Sequence, residues 1–264
     1  MKDLGLGSVS IDVVKDYWNS RPCNLRHSQK SIGSREYFDE VEARKYLVEP
    51  HIPAFAQFDK YAGKRVLEIG CGIGTDAVNF ARAGCDYTGT DLSDESLQLA
   101  QQRFDVFGLK GTFLSVNAEE LSTQFKAHDY DLIYSFGVIH HSPSPKKIVG
   151  EAAKLLKPGG ELKLMVYAKN SWKAAMIDSG FDQPEAQQGC PIAFSFDDND
   201  VIDVLGDEFE LLDTYQDHIF PYSIPEYKEY EYKLQPWFET MPESIFKALE
   251  KNFGWHKMIT AKRK

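Results

Sequence analysis

Residues 65–76 read RVLEIGCGIGTD, an apolar run that ends in three glycines, Gly70, Gly72 and Gly74, spaced two apart. A strand that gives way to bare backbone before a helix lets the chain pass tightly beneath a ligand. The ligand's polar groups can then meet the unpaired amides of the helix's first turn. The same order of elements recurs downstream. KRVLEIG reads as a buried strand and GTDAVNFARAG as a helix closed by Gly84; CDYTGTD is a second strand, and DESLQLAQQRFDVFG a helix capped by Ser93 or Asp94. GTFLSVNA supplies a third strand, YDLIYSFG a fourth, SPKKIVGEAAKLLKPGG a helix stopped at Pro158 and Gly159, and ELKLMVYA a fifth. Strands alternating with helices between about residues 63 and 168 predict an α/β fold with a parallel sheet and right-handed crossovers.

The ligand of such a turn is nucleotide-like, but the dinucleotide fingerprint fails. G-x-G-x-x-G starting at Gly70 requires a glycine where Thr75 stands, which argues against a pyrophosphate. Asp91 closes the second strand 21 residues beyond Gly70, where an acidic side chain grips ribose hydroxyls in doubly wound folds. The competing reading makes the glycines a plain tight turn and Asp91 only a cap on the next helix.

VLEIGCGIGTD resembles the first motif of class I S-adenosylmethionine-dependent methyltransferases. TGTDLS after the second strand, NAEEL after the third, YDLIYSFGVIHH across the fourth and LLKPGGELKL into the fifth extend the resemblance over about residues 63–168. It implies a doubly wound, Rossmann-like sheet of seven strands, mostly parallel with the last antiparallel. S-adenosyl-L-methionine would lie across the strands' carboxyl ends, with S-adenosyl-L-homocysteine as product. Carried over position by position, Glu68, Gly70, Gly72 and Gly74 line the methionine part, and Asp91 takes the ribose hydroxyls with Leu92 beside the adenine. Asn117, Ala118 and Glu119 reach the adenine, while Ser135 and Phe136 border the methionine and sulfonium. Asp76 reads as structural, an acid in a helix's first turn.

Methyl transfer from a sulfonium asks mainly for alignment and desolvation. A hydroxyl or ammonium acceptor also needs a base, and His140 or His141, just past the fourth strand, stands in the right region for that or for a purely structural role.

The flanks are less periodic. The resemblance implies an N-terminal helical lid over residues 1–60 on a body of residues 61–264, with substrate-covering insertions at about 169–205 and 218–255, the second helical and preceding the last strand. In the body, EFELLDTYQD and HKMITAKRK read as two late strands, with ESIFKALEKNFGW the best helix between them. A bulky aromatic helix at the start suits a cover that closes when cofactor is present. Tyr17, Trp18, Arg21 and Arg26 can clamp an anionic or planar ligand or form a surface face; Tyr167, Trp172 and Tyr222 suit either a small molecule or packing.

A formal charge of −10 argues against an extensive nucleic-acid surface. Cys23, Cys71, Cys85 and Cys190 contain no C-x-x-C pair, so no metal site or disulfide framework is signalled. No apolar run is long enough for a membrane span, and the chain reads as cytoplasmic. The expected activity is transfer of a methyl group to an O or N nucleophile of a small molecule, with protein or RNA methylation and non-catalytic cofactor binding as alternatives.

Overall fold

The computed structural model describes residues 2–3, 9–182 and 189–264. Its elements run β1 (Lys2–Asp3), α1 (Ile11–Ser20), α2 (Arg35–Val48), α3 (Ile52–Ala56), β2 (Arg65–Ile69), α4 (Thr75–Arg82), β3 (Asp86–Asp91), α5 (Asp94–Phe107) and β4 (Thr112–Ser115). They continue with β5 (Tyr130–Phe136), α6 (Pro145–Leu155), β6 (Leu156–Ala168), α7 (Trp172–Asp178), β7 (Phe194–Phe196), α8 (Asp198–Leu205) and β8 (Phe209–Asp217). Last come α9 (Ile224–Lys228), α10 (Pro236–Glu239), α11 (Glu243–Phe253) and β9 (His256–Arg263).

The expected seven strands lie in the order β4-β3-β2-β5-β6-β9-β8, with β9 antiparallel to both its neighbours and the pairs from β4 to β6 parallel. Two short strands are additional: β7 pairs with the end of β6 through Tyr167 and Ala168, and β1 pairs with β7. On β2 the pleat sends Leu67 and Ile69 to one face, where Ile148, Val149 and Ala152 of α6 and Val201 and Val204 of α8 cover them. Val66 faces the other side with Ala77, Val78 and Phe80 of α4 and Phe104 of α5. Each of these four helices buries an apolar stripe, and the sheet is covered on both faces as a parallel sheet must be.

One expectation needs correction. The helix expected to run up to the stop at Pro158 and Gly159 already ends at Leu155, because proline disfavours helical backbone at Lys157; residues 157–160 instead bulge out of a strand, with Tyr130 opposite Leu156 but Leu132 opposite Glu161. Within residues 189–205, α8 covers the sheet with Val201, Val204 and Leu205 buried. Near the N-terminus, α2 packs into the body. Tyr37, Phe38 and Val41 of α2 are fully buried against Ile73. The fully buried Arg103 of α5 donates to Phe38 O at 3.0 Å, Glu42 Oε2 at 3.2 Å and Thr75 Oγ1 at 2.8 Å, tying α2 to the start of α4.

Candidate functional site

A cleft opens at the carboxyl ends of β2, β3 and β5, around the loop after β2. Gly70, Gly72 and Gly74 all take left-handed backbone, with φ of 74°, 52° and 78°. Their surroundings differ. The amides of Gly70 and Cys71 both donate to Thr90 O, at 2.7 and 3.0 Å, and a Cβ on Gly70 would fall 2.3 Å from Val138 Cγ2. A Cβ on Gly72 would meet nothing within 4 Å, so this residue presents bare backbone to the cleft. Gly74, the N-cap of α4, backs onto Ala100 and lies outside the lining.

Asp91, at the end of β3, accepts from Gly72 N at 2.9 Å and Ser93 N at 2.8 Å, so one carboxylate sets both the glycine loop and the start of α5. Burial raises its pKa, against the pull of those amides. Leu92, Asn117, Ala118 and Phe136 share the lining with it. Asn117 accepts from Glu119 N at 3.0 Å and so shapes the turn that presents Ala118. Glu119 and Ser135 do not line the cleft. Glu119 accepts from Ser142 Oγ at 2.7 Å, joining two rim loops, and the buried Ser135 donates to Ile69 O at 3.0 Å, tying β5 to β2.

Glu68 sits on the cleft floor, with Tyr87 donating to its Oε2 at 2.6 Å. Burial first, then the neighbouring Asp76, pushes its pKa up to about 8. Beside it is a network that sequence reading missed. Lys45 Nζ is 2.9 Å from Asp76 Oδ1, Tyr46 donates to the same oxygen at 3.0 Å, and Tyr134 donates to Oδ2 at 3.0 Å. Lys45 and Asp76 both line the cleft. Burial works against the charge of Lys45, but Asp76, Glu49 and Glu68 overcome it and raise the pKa. Asp76, read as structural from its place in α4, is thus part of the floor.

A cationic ligand in this cleft favours the ionised form of Glu68, so binding lowers its pKa and releases a proton. S-adenosylmethionine, which carries a sulfonium, is expected to release on the order of half a proton more at pH 7 than the uncharged-sulfur product does. Calorimetry in buffers of different ionisation enthalpy measures the difference, which should vanish in Glu68→Gln. Equal release by the two ligands in the unaltered protein would contradict this account of Glu68.

The two candidate bases part company. His140 is fully buried and outside the lining, its ring 3.9 Å from that of Tyr167; burial drives its pKa well below the ordinary value and keeps it neutral. His141 lines the cleft. Its Nδ1 is 2.8 Å from Ile192 O, and since a carbonyl only accepts, Nδ1 carries the proton and Nε2 is the ring's acceptor nitrogen. Trp18 packs edge-on to it at 5.2 Å. Ile11, Val14 and Trp18 of α1, followed by Cys23 and Asn24, line the cleft opposite the glycine loop.

The remaining substrate candidates lie outside the lining. Tyr17 packs against Trp18 at 5.0 Å, Arg21 is exposed with its guanidinium 5.4 Å from the Tyr17 ring, and the carbonyl of exposed Arg26 accepts from Tyr230. Tyr167 is buried and stacks on Trp255 at 4.3 Å. Trp172 joins Phe238 and Trp237 in a separate aromatic patch, and Tyr222 joins Phe220, Tyr227 and Tyr232 in another. Long aromatic side chains fill such gaps as readily as they hold ligands, and sequence does not separate the two uses.

A glycine loop after the first parallel strand, an acid at the end of the next and an antiparallel final strand define the class I S-adenosylmethionine-dependent methyltransferase fold. The crystal structure of magnesium protoporphyrin IX methyltransferase from Synechocystis PCC 6803 with bound S-adenosylhomocysteine has the same fold: TM-score 0.62, 18% identity, 97% of this chain and all of that chain covered. The chain belongs to the methyltransferase-domain family, which it matches over residues 41–230. It is 34% identical over 121 residues to the ubiquinone biosynthesis O-methyltransferase of Citrobacter koseri, 45% of this chain and 50% of that protein. To the enzyme of the same description from Bordetella avium it is 40% identical over 98 residues, 37% of this chain and 40% of that protein. It therefore spans half or less of these curated relatives. S-adenosylmethionine is the cofactor of the class, and the bare Gly72 backbone, the Asp91 carboxylate and the acidic floor fit it.

Proposed function

We propose that the protein methylates an oxygen or nitrogen nucleophile of a small molecule beneath α1. The observation that carries this reading is the cover: Val14 and Trp18 line the same cleft as Gly72 and Asp91, so an acceptor has to fit under a helix. The names of the O-methyltransferase relatives favour oxygen.

In this reading Asp91 holds the ribose hydroxyls, Leu92, Asn117 and Ala118 border the adenine, and Glu68, Gly70 and Gly72 flank the methionine part. When bound, the cofactor supplies an electrophilic methyl group on a sulfonium, ready for in-line displacement. The chain orients the acceptor, keeps water out with α1, and takes the acceptor's proton at His141 Nε2. Phe136 closes the apolar wall. Residues 11–24 act as the cover, while α2 and α3 stay with the body.

The test follows formation of S-adenosylhomocysteine with a panel of catechols, phenols and aromatic amines. Turnover of a phenolic acceptor is expected. The turnover number should fall about a hundredfold in His141→Asn, with cofactor affinity within threefold of the unaltered protein, as for loss of a general base. Methyl transfer only to a protein or RNA fraction would replace this reading with the macromolecular one, and cofactor binding without any turnover would replace it with the non-catalytic one.

A further inference from the structure

Behind Phe136 the chain gathers three histidines and a glutamate that the proposed methyl transfer does not use. We propose that Glu49, His218 and His256 bind a divalent transition-metal ion of the zinc class. Glu49 is the residue that ends α2, His218 follows β8, and His256 opens β9, so distant segments of the chain converge on one point. One ligand atom from each lies within 4.8 Å of the other two, and His256 Nε2 is 3.7 Å from Glu49 Oε1. Ligand atoms around tetrahedral zinc stand about 3.3 Å apart, given bonds of about 2.0–2.1 Å, so side-chain rotations of about 1 Å close the site. Two imidazoles and a carboxylate are ligands zinc accepts, and three protein ligands leave a fourth position for water or another oxygen.

Two features show that the arrangement is built rather than incidental. His218 takes left-handed backbone, φ 69°, uncommon for a residue other than glycine, although histidine enters it more readily than most. Two hydrogen bonds hold it there. Its amide donates to Asp217 Oδ1 at 2.7 Å and its carbonyl accepts from Trp255 N at 2.7 Å. Gly254 permits that contact, since a Cβ there would lie 2.2 Å from Asp217 O. The result holds the His218 and His256 rings 4.5 Å apart.

The second feature is His51, whose Nε2 is 3.0 Å from His256 Nδ1. With the proton on His256 Nδ1, that contact fixes the ring and turns the Nε2 lone pair toward Glu49, the arrangement by which outer residues orient a ligating histidine. Without a cation, the same lone pair faces a carboxylate oxygen. A proton is the competing occupant, and would make His256 and Glu49 a simple ion pair. The cluster stands one ring from the cleft: Phe136, part of the lining, packs 5.5 Å from His256 and 6.0 Å from His51. Cysteine spacing gave no sign of it, because its ligands come from histidine and glutamate scattered over more than 200 residues.

The full chain, stripped with chelator and dialysed, is titrated with zinc chloride by calorimetry, with bound metal quantified by elemental analysis. One zinc per chain is expected, with affinity at least tenfold weaker in His218→Asn and in Glu49→Gln. Asparagine tolerates left-handed backbone and Glu49 is at a helix end, and S-adenosylhomocysteine binding at the cleft reports that each variant is folded. Absence of zinc binding by the unaltered chain, or wild-type affinity in the folded variants, overturns the proposal. If His218→Asn fails to fold, Glu49→Gln decides alone.

Discussion

Replacing Asp91 by alanine is expected to weaken S-adenosylhomocysteine binding by a hundredfold or more. A carboxylate on two ribose hydroxyls makes two charge-assisted hydrogen bonds, each contributing about 1.5–3 kcal/mol, and about 3 kcal/mol corresponds to a factor above 100. The structure adds a second source of loss. Asp91 already accepts from the amides of Gly72 and Ser93, and a carboxylate has lone pairs enough to keep both while accepting from a ligand. Alanine removes the anchor of the glycine loop together with the ligand contact. Asp91→Asn separates the two losses, since it keeps a carbonyl oxygen for one amide but no charge; an intermediate loss, about tenfold, is expected. Calorimetric titration of the three proteins checks the series. An alanine variant within threefold of wild type would remove Asp91 from the cofactor site and leave it as a loop cap.

The central fold was legible because its signals are local and redundant. Gly70 to Gly74 interrupt an apolar strand, Gly84 and Gly108 close helices, and Ser93 caps α5 through Ser96 N, as its position suggested. The α6–β6 junction was misread because Pro158-Gly159-Gly160 punctuates a bulged strand as readily as it stops a helix; the register against β5 decides, and register is a property of two strands. The cleft floor was harder. Lys45 reaches Asp76 across 31 positions of sequence, and nothing in the sequence distinguishes it from the other charged residues of α2. His140 and His141 are adjacent and chemically identical, so only packing separates the ring buried under Tyr167 from the one facing Trp18. Apart from Trp18, the aromatics named as substrate candidates lie outside the cleft lining for a related reason. Tyr222 and Trp172 cluster with residues of their own insertions or of one another's, and an apolar ring buries its surface equally well against a ligand or another ring.

Gly70→Ala and Gly72→Ala offer the sharper test of the loop, because the same substitution two residues away should fail differently. Both residues have positive φ, so each alanine carries about 1–2 kcal/mol of backbone strain. At Gly70 a clash adds to it: the new Cβ would lie 2.3 and 2.5 Å from the γ carbons of Val138 and 2.9 Å from its Cβ. Rotation about χ1 moves the γ carbons but not the Cβ, so the backbone of one loop has to shift, and about 3 kcal/mol or more of unfolding free energy should be lost. Val138→Ala in the same chain removes the two closest atoms and should recover about 1 kcal/mol or more of that loss in a double-mutant cycle. At Gly72 the Cβ projects into open space, so stability should fall only by the backbone strain. Binding should fall further, because the methyl group occupies the cleft wall on which Asp91 and Leu92 also open. Urea unfolding and S-adenosylhomocysteine titration of each variant separate the two effects. Equal stability losses, with cofactor affinity retained in Gly72→Ala, would mean that the glycines serve only the turn and that the cofactor lies elsewhere.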